Sequence, residues 1–161
     1  MHFEITDKPL APWQRLADYE RESAAIYGGP GEGHGAGACA TFIGTMRDSN
    51  EGDAVQAMTL EHYPGMTERH LEAILAAAAQ RWALLDALLV HRVGELSPGD
   101  PIVLVAVWSA HRADAFEACR FCMEDLKSRA PFWKKEKTAS GERWVERNTD
   151  GYTNQAEEKQ Q

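Results

Sequence analysis

Positive charge is scarce in this 161-residue chain: 17 lysines and arginines face 25 aspartates and glutamates, a formal net charge of -8. That balance argues against bulk attraction to nucleic acid or to an anionic membrane, so an anionic partner has to be met by a local patch. No apolar run approaches the roughly 18 residues that span a bilayer. The opening MHFEITDKPL has no cationic segment followed by an apolar one, so no signal peptide is expected and the cytoplasm is the default. Cysteine is rare too. Cys39 stands alone, and Cys119 and Cys122 form one C-x-x-C with no second pair at zinc-ligand spacing. AFEACRFCMEDL reads as a helix with Phe116, Cys119, Met123 and Leu126 on an apolar stripe. The two thiols then act as small buried or half-buried hydrophobes, with redox or metal chemistry as the alternative. The six histidines contain no H-E-x-x-H. YGGPGEGHGAGA lacks the lysine and Ser/Thr ending of a phosphate-binding loop, and reads as a flexible surface loop over about 28–37. There is no internal repeat.

What remains is an ordinary soluble globular composition, 43% apolar and 26% charged, long enough for one domain over residues 1–148. Residues 149–161 are polar, without a core pattern, and are expected to be disordered. FEITDKPL suggests a strand and APWQRLADYERESA a helix with Trp13, Leu16 and Tyr19 at helical spacing. CATFIGTMR reads as a strand, DSNEGD as a turn and AVQAMTLEHY as a returning strand, so the two strands are expected to form a hairpin. PGMTERHLEAILAAAAQRW is the clearest helix, with Pro64 near its start. LLDALLVHRVGEL reads as one strand and SPGD as a tight turn. PIVLVAVWSA, almost wholly apolar, reads as a central strand buried on both faces. A helix over 111–127 follows, and GERWVE closes with a short strand. The order implies an α+β fold with a largely antiparallel sheet and flanking helices.

KSRAPFWKKEK (127–137) reverses the overall charge balance, with five cations and one anion in eleven residues. Lys127 ends a helix, where a cation complements the dipole, and that is a sufficient structural reason for it. It is also followed closely by Arg129, Lys134, Lys135 and Lys137. Neighbouring cations lower a lysine's pKa toward what a nucleophile or proton carrier needs. Pro131 disfavours helix at Ala130. If the next residues are extended, alternation puts Lys134 and Glu136 on one face and Trp133, Lys135 and Lys137 on the other. One face can then line a pocket. A charged edge strand guarded by lysines is the structural alternative.

At the other end of the same helix, WSAHRADAF offers Ser109 as a cap with His111 and Arg112 in the first turn. Cations there oppose the helix dipole unless an anion joins them. With the free backbone N–H groups they make a phosphate or carboxylate receptor. The structural alternative is a solvated arginine and a locally bonded core histidine. Arg47, between an apolar strand and a turn, is a weaker binding candidate. His91-Arg92 and the stretch from Glu61 to Pro64 read as structural polar contacts.

FIGTMR, LEHYPGM, HRVGEL, SAHRADAF and LKSRAPFWKKE, in this order and spacing, closely resemble the catalytic (large) subunit family of molybdopterin synthase, the MoaE family. The resemblance runs from about Cys39 to Val145. It implies an α+β fold of the α/β hammerhead type. It implies conversion of cyclic pyranopterin monophosphate (precursor Z) to molybdopterin by installing a dithiolene. The implied sulfur donor is a thiocarboxylate on the C-terminal Gly-Gly of a small ubiquitin-like partner subunit. A heterotetramer around a dimer of the large subunit is implied as well, with no metal and no cofactor. By motif position, substrate binding falls on Thr45, Met46 and Arg47, on His111 and Arg112, and on Lys127, Lys134, Lys135 and Glu136. Lys127 and Lys134 are the implied catalytic pair.

Besides sulfur transfer, two other functions fit parts of the sequence. A scaffold would dock such a partner without chemistry, yet docking alone does not need Lys127, Lys134, Arg47 and His111 together. A nucleic-acid binder would use the basic-aromatic segment, but the acidic remainder would repel a long polyanion and no RNA-binding signature is present.

Overall fold

The computed structural model describes residues 1–27, 35–50, 53–138 and 141–145. In chain order its elements are β1 (His2–Thr6), α1 (Pro12–Glu22), α2 (Ala24–Tyr27), β2 (Ala38–Thr45) and β3 (Ser49–Asn50). Next come β4 (Asp53–His62), α3 (Met66–Arg81), β5 (Leu84–Arg92), β6 (Gly94–Leu96) and β7 (Pro101–Ser109). The chain continues through α4 (Arg112–Ser128), β8 (Phe132–Thr138) and β9 (Gly141–Trp144). Most of the expected glycine-rich loop and the whole expected tail lie outside the described residues.

The fold is α+β with two mostly antiparallel sheets. The first has the order β1-β5-β7-β2, with only the β1–β5 pair parallel. Its inner strands show why an apolar run needs two covers. Val103, Val105 and Val107 of β7 face α3 and α4, packing with Leu71, Ile74, Leu75, Ala118, Cys122 and Leu126. Leu104, Ala106 and Trp108 face the other way, onto Leu10, Leu16 and Ile26. With a period of two, a strand buried on both sides must be apolar at every position. The second sheet runs β3-β4-β8-β9, with β6 also paired to β4. Its inner face buries Met58, Leu60 and Leu96 against Met46 and Val93, and its outer face stays wet.

Several expectations change here. CATFIGTMR and AVQAMTLEHY are not a hairpin: β2 pairs antiparallel with β7, and β4 pairs with β8. What β4 pairs with just before it in the chain is the two-residue β3. β7 needs an apolar neighbour on each side, whereas β4 has a polar face that suits a one-sided sheet. LLDALLVHRVGEL is two strands in different sheets. The break comes at Gly94, whose φ of +85° lies in the left-handed region that glycine enters without strain. Phe116 is 65% exposed, because the stripe of α4 runs through Ala115, Ala118, Cys119, Cys122, Met123 and Leu126, one residue away. Trp13 is exposed as well. The position flanking α4 is His111, which makes no side-chain cap. Ser109 instead accepts the His111 backbone N–H at 3.3 Å. β8 is not an edge strand, since β9 flanks it. Cys119 and Cys122 are buried free thiols, and burial pushes them up to about 11 and about 12. They stay protonated and unreactive. Among the described residues no cluster of potential metal ligands exists, and no helix is long and apolar enough to cross a membrane.

Candidate active site

The C-terminal end of α4, the inward face of β8 and the end of β2 enclose a cavity of about 460 Å³. Alternation along β8 builds one wall. Phe132, Lys134 and Glu136 face in and line it, whereas Trp133 is 47% exposed on the opposite face. Phe132 is fixed by stacking on His91, ring centroids 4.0 Å apart and 16° from parallel. Trp133 points away from the cavity, so of the two aromatics it is Phe132 that packs there.

Arg47 arrives by a second route. Met46 is buried, its N–H bonds the Asp100 carbonyl at 2.9 Å, and its own carbonyl accepts Gly99 N–H at 2.8 Å. The turn that receives these bonds is pinned in turn by Arg92, which donates to Asp100 at 3.0 Å and to the Glu95 carbonyl at 3.1 Å. Asp100 is held below the usual carboxylate range by the Ser97 backbone N–H first and Arg92 second. Gly44 forms the wall beside it: a Cβ there would sit 2.8 Å from Val103 Cγ1, so the cavity wall leaves no space for a side chain.

Lys127 enters from the last turn of α4. That turn is anchored by Asp125, which accepts from His70 Nε2 at 2.8 Å and is ion-paired to Arg129. Among the described residues the cavity therefore gathers Lys127, Lys134 and Arg47 with one carboxylate, Glu136. Lys134 is held below the ordinary lysine range, mainly by burial and then by Lys127, with Arg47 adding and Glu136 opposing. The expected crowding of cations thus acts on Lys134. Glu136 is buried, and its carboxylate accepts from Asn50 Nδ2 at 2.9 Å and from Arg143 Nε and Nη2, each at 3.3 Å.

Of the residues singled out in the sequence, Thr45, Met46, Arg47, Lys127, Lys134 and Glu136 come together. Lys135 does not: it lies on the outer face, ion-paired to Glu142 and 5.9 Å from the Trp144 ring centroid. His111 and Arg112 do not either. They sit exposed at the start of α4, and Arg112 is roughly 22 Å along the helix from Lys127 at 1.5 Å per residue. Sequence reading missed His91 as a cavity wall and Arg143 and Asn50 as partners of Glu136. His91 is buried with Nδ1 3.0 Å from the Arg92 carbonyl, and burial depresses it to about 4. Arg143 had a signal: a tight β8–β9 hairpin puts it opposite Glu136.

A cavity with three cations, one restrained carboxylate and apolar walls can hold a small anion against an extended acidic tail, and can offset negative charge as it develops. Comparison with known proteins identifies relatives of this chain. Residues 16–129 match the family model described as MoaE protein. The chain is 64% identical over 110 residues to the molybdopterin synthase catalytic subunit of Ralstonia nicotianae, covering 68% of this chain and 62% of that protein. It is thus matched to a little under two thirds of that relative's length. The same-named protein of Pseudomonas aeruginosa is 59% identical over 112 residues, 70% of this chain and 75% of its own. Among solved structures, the molybdopterin biosynthesis MoaE protein of Burkholderia ambifaria superposes with a TM-score of 0.71 at 46% identity, covering 92% of this chain and 91% of that one. Molybdopterin synthase from Staphylococcus aureus gives 0.75 at 31% identity, covering 90% and 98%.

Proposed function

The chain belongs to the MoaE family, and from that membership we propose that it is the catalytic subunit of a molybdopterin synthase. It takes sulfur from the thiocarboxylated C-terminal Gly-Gly of a small ubiquitin-like partner and places it on precursor Z. The observation that carries this reading is the cavity that joins Lys127, Lys134 and Arg47 over Glu136. In a protein of net charge -8 it is a local cationic receptor, suited to a thiocarboxylate tail.

The thiocarboxylate sulfur adds to an electrophilic pterin carbon, the carbon–oxygen bond that it replaces breaks, and the oxygen leaves with a proton. Water then cleaves the acyl–sulfur bond, leaving sulfur on the pterin and a carboxylate on the partner's last glycine. A second round completes the dithiolene. Lys127 stands against the thiocarboxylate and the reacting carbon, as proton-transfer group or transient nucleophile. Lys134 and Arg47 offset the negative charge that develops. A lysine with a lowered pKa gives up a proton more readily near neutrality, and Lys134 meets that condition. Glu136 orients the lysines, and Thr45 and Met46 line the same wall. Lys135, paired to Glu142, stays outside these contacts.

The substrate phosphate needs its own receptor. His111, Arg112 and the free N–H groups that open α4 supply one. Their distance from Lys127 is in keeping with a second copy bringing this receptor to the cavity in a heterotetramer built on a dimer of this chain. We place the reaction in the cytoplasm, in keeping with three free cysteines.

The test mixes purified protein, thiocarboxylated partner and precursor Z and measures dithiolene product. Lys127→Ala is expected to lose at least about 100-fold in rate, the usual contribution of a positioned proton-transfer group. Full product formation by that variant would sink the assignment. Tight partner binding by the wild type with no turnover would favour a scaffold.

A further inference from the structure

Glu136 sits on the same strand face as Lys134, two residues away, in a cavity that already holds Lys127 and Arg47. Here its oxygens are already engaged. Oε1 accepts from Asn50 Nδ2 at 2.9 Å, and Oε2 accepts from both Nε and Nη2 of Arg143 at 3.3 Å. Arg143 Nη2 also reaches the Asn50 backbone carbonyl at 3.5 Å, so the two partners are joined to each other. The strand register produces this arrangement. Glu136 lies directly across from Arg143 in the β8–β9 pair, where side chains share a face at about 5 Å. β3 delivers Asn50 from the other side of β4.

We propose that Arg143 is a positioning residue of the site: with Asn50 it fixes Glu136 and takes up part of its charge, which limits the pull of Glu136 on Lys134. This inference rests on the sulfur-transfer reading for its meaning, but its geometry does not. Arg143 brings two charged donors, Nε and Nη2, to the single oxygen Oε2. The consequence is electrostatic. Lys134 faces Lys127 from α4, Arg47 from the end of β2, His91 from β5 and Glu136 on its own strand, with His62 of β4 beyond His91. Of these, Glu136 alone favours the charged amine. Arg143 limits that pull, and the low protonation range of Lys134 follows from burial and cations acting against a restrained anion.

The experiment reads Lys134 directly. Trace acylation with a limiting anhydride, followed by mass spectrometry of the Lys134 peptide between about pH 6 and 11, gives the amine's apparent pKa without any need for turnover. Arg143→Gln should raise that pKa by about one unit, the scale of a freed opposite charge within a few ångströms. Arg143→Lys should restore most of the wild-type value, and it keeps the test valid if the glutamine variant folds poorly. In a Glu136→Gln background the Arg143→Gln shift should vanish, because it needs the carboxylate. An unchanged Lys134 in Arg143→Gln would overturn the proposal. So would an equal shift in the Glu136→Gln background, which would mean that Arg143 acts on Lys134 by simple repulsion. With thiocarboxylated partner present, the pH profile of kcat should move upward with the labelling pKa while KM for the partner stays level. A wild-type chain that makes no product would sink the sulfur-transfer reading, and a labelling shift found in that same chain would still support Arg143 in this role.

Discussion

Acid should destabilise this protein through one histidine of the cavity wall. His91 is buried against Phe132, and its imidazole is depressed from 6.5 to about 4. Burial is the main cause, the Arg92 carbonyl opposes it, and Lys134 and His62 add to it. Near pH 6 the folded chain therefore keeps His91 neutral while the unfolded chain protonates it. The stability is whole above about pH 6.5 and drains as pH falls toward about 4, because the unfolded state binds the extra proton. Each pH unit in that window removes about 1.4 kcal/mol, so about 2 kcal/mol goes between pH 6.5 and 5. His91→Phe keeps an aromatic ring on Phe132 and removes the titration. Urea unfolding followed by tryptophan fluorescence, at about pH 7, 6 and 5, gives both stabilities. The difference between the two proteins should change by about 2 kcal/mol in the variant's favour on going to acid. Other carboxylates and histidines titrate in both, so only the difference counts. Parallel curves would refute the reasoning.

Two further substitutions and one labelling pattern follow from the same placement. Phe132→Ala should cost about 2–3 kcal/mol, below a fully buried ring because Phe132 is only partly covered, whereas the exposed Trp133→Ala should stay within about 0.5 kcal/mol. Equal urea midpoints for the two would contradict the inward and outward faces assigned to β8. A thiol reagent should modify the exposed Cys39 in the native protein and reach Cys119 and Cys122 only after unfolding. Fast native labelling of all three would contradict the packing of α4.

Much of the layout was legible where periodicity is strong. The apolar spacing of α3 and the unbroken apolar run of β7 each permit one placement, and the structure uses it, while α4 keeps Cys119, Met123 and Leu126 of its expected stripe and leaves Phe116 outside. Alternation in FWKKEK separated Lys134 and Glu136 from Trp133 and Lys135 before any fold was known. Strand pairing was less legible. Adjacent strands joined by a turn suggested a hairpin of β2 and β4, but β2 pairs with β7, a buried strand whose backbone groups need a partner on both edges while β5 takes only one. The break at Gly94 was hidden inside a run that looks continuous, since a single positive φ leaves no periodic trace.

By itself the sequence determined the residue types and their local faces: a helix with Lys127 in its last turn, a strand with Lys134 and Glu136 on one side, and the family to which both belong. Local geometry suffices for these, because helix and strand periods follow from neighbouring residues alone. Tertiary structure decided which faces meet. It set Arg47 beside two lysines through the turn that carries Asp100, and it placed Arg143 and Asn50 on Glu136. The places of Arg47 and Asn50 depend on pairing between distant segments, which no pattern of neighbouring residues contains; of these relations the Arg143–Glu136 register had a local signal, in the tight β8–β9 hairpin.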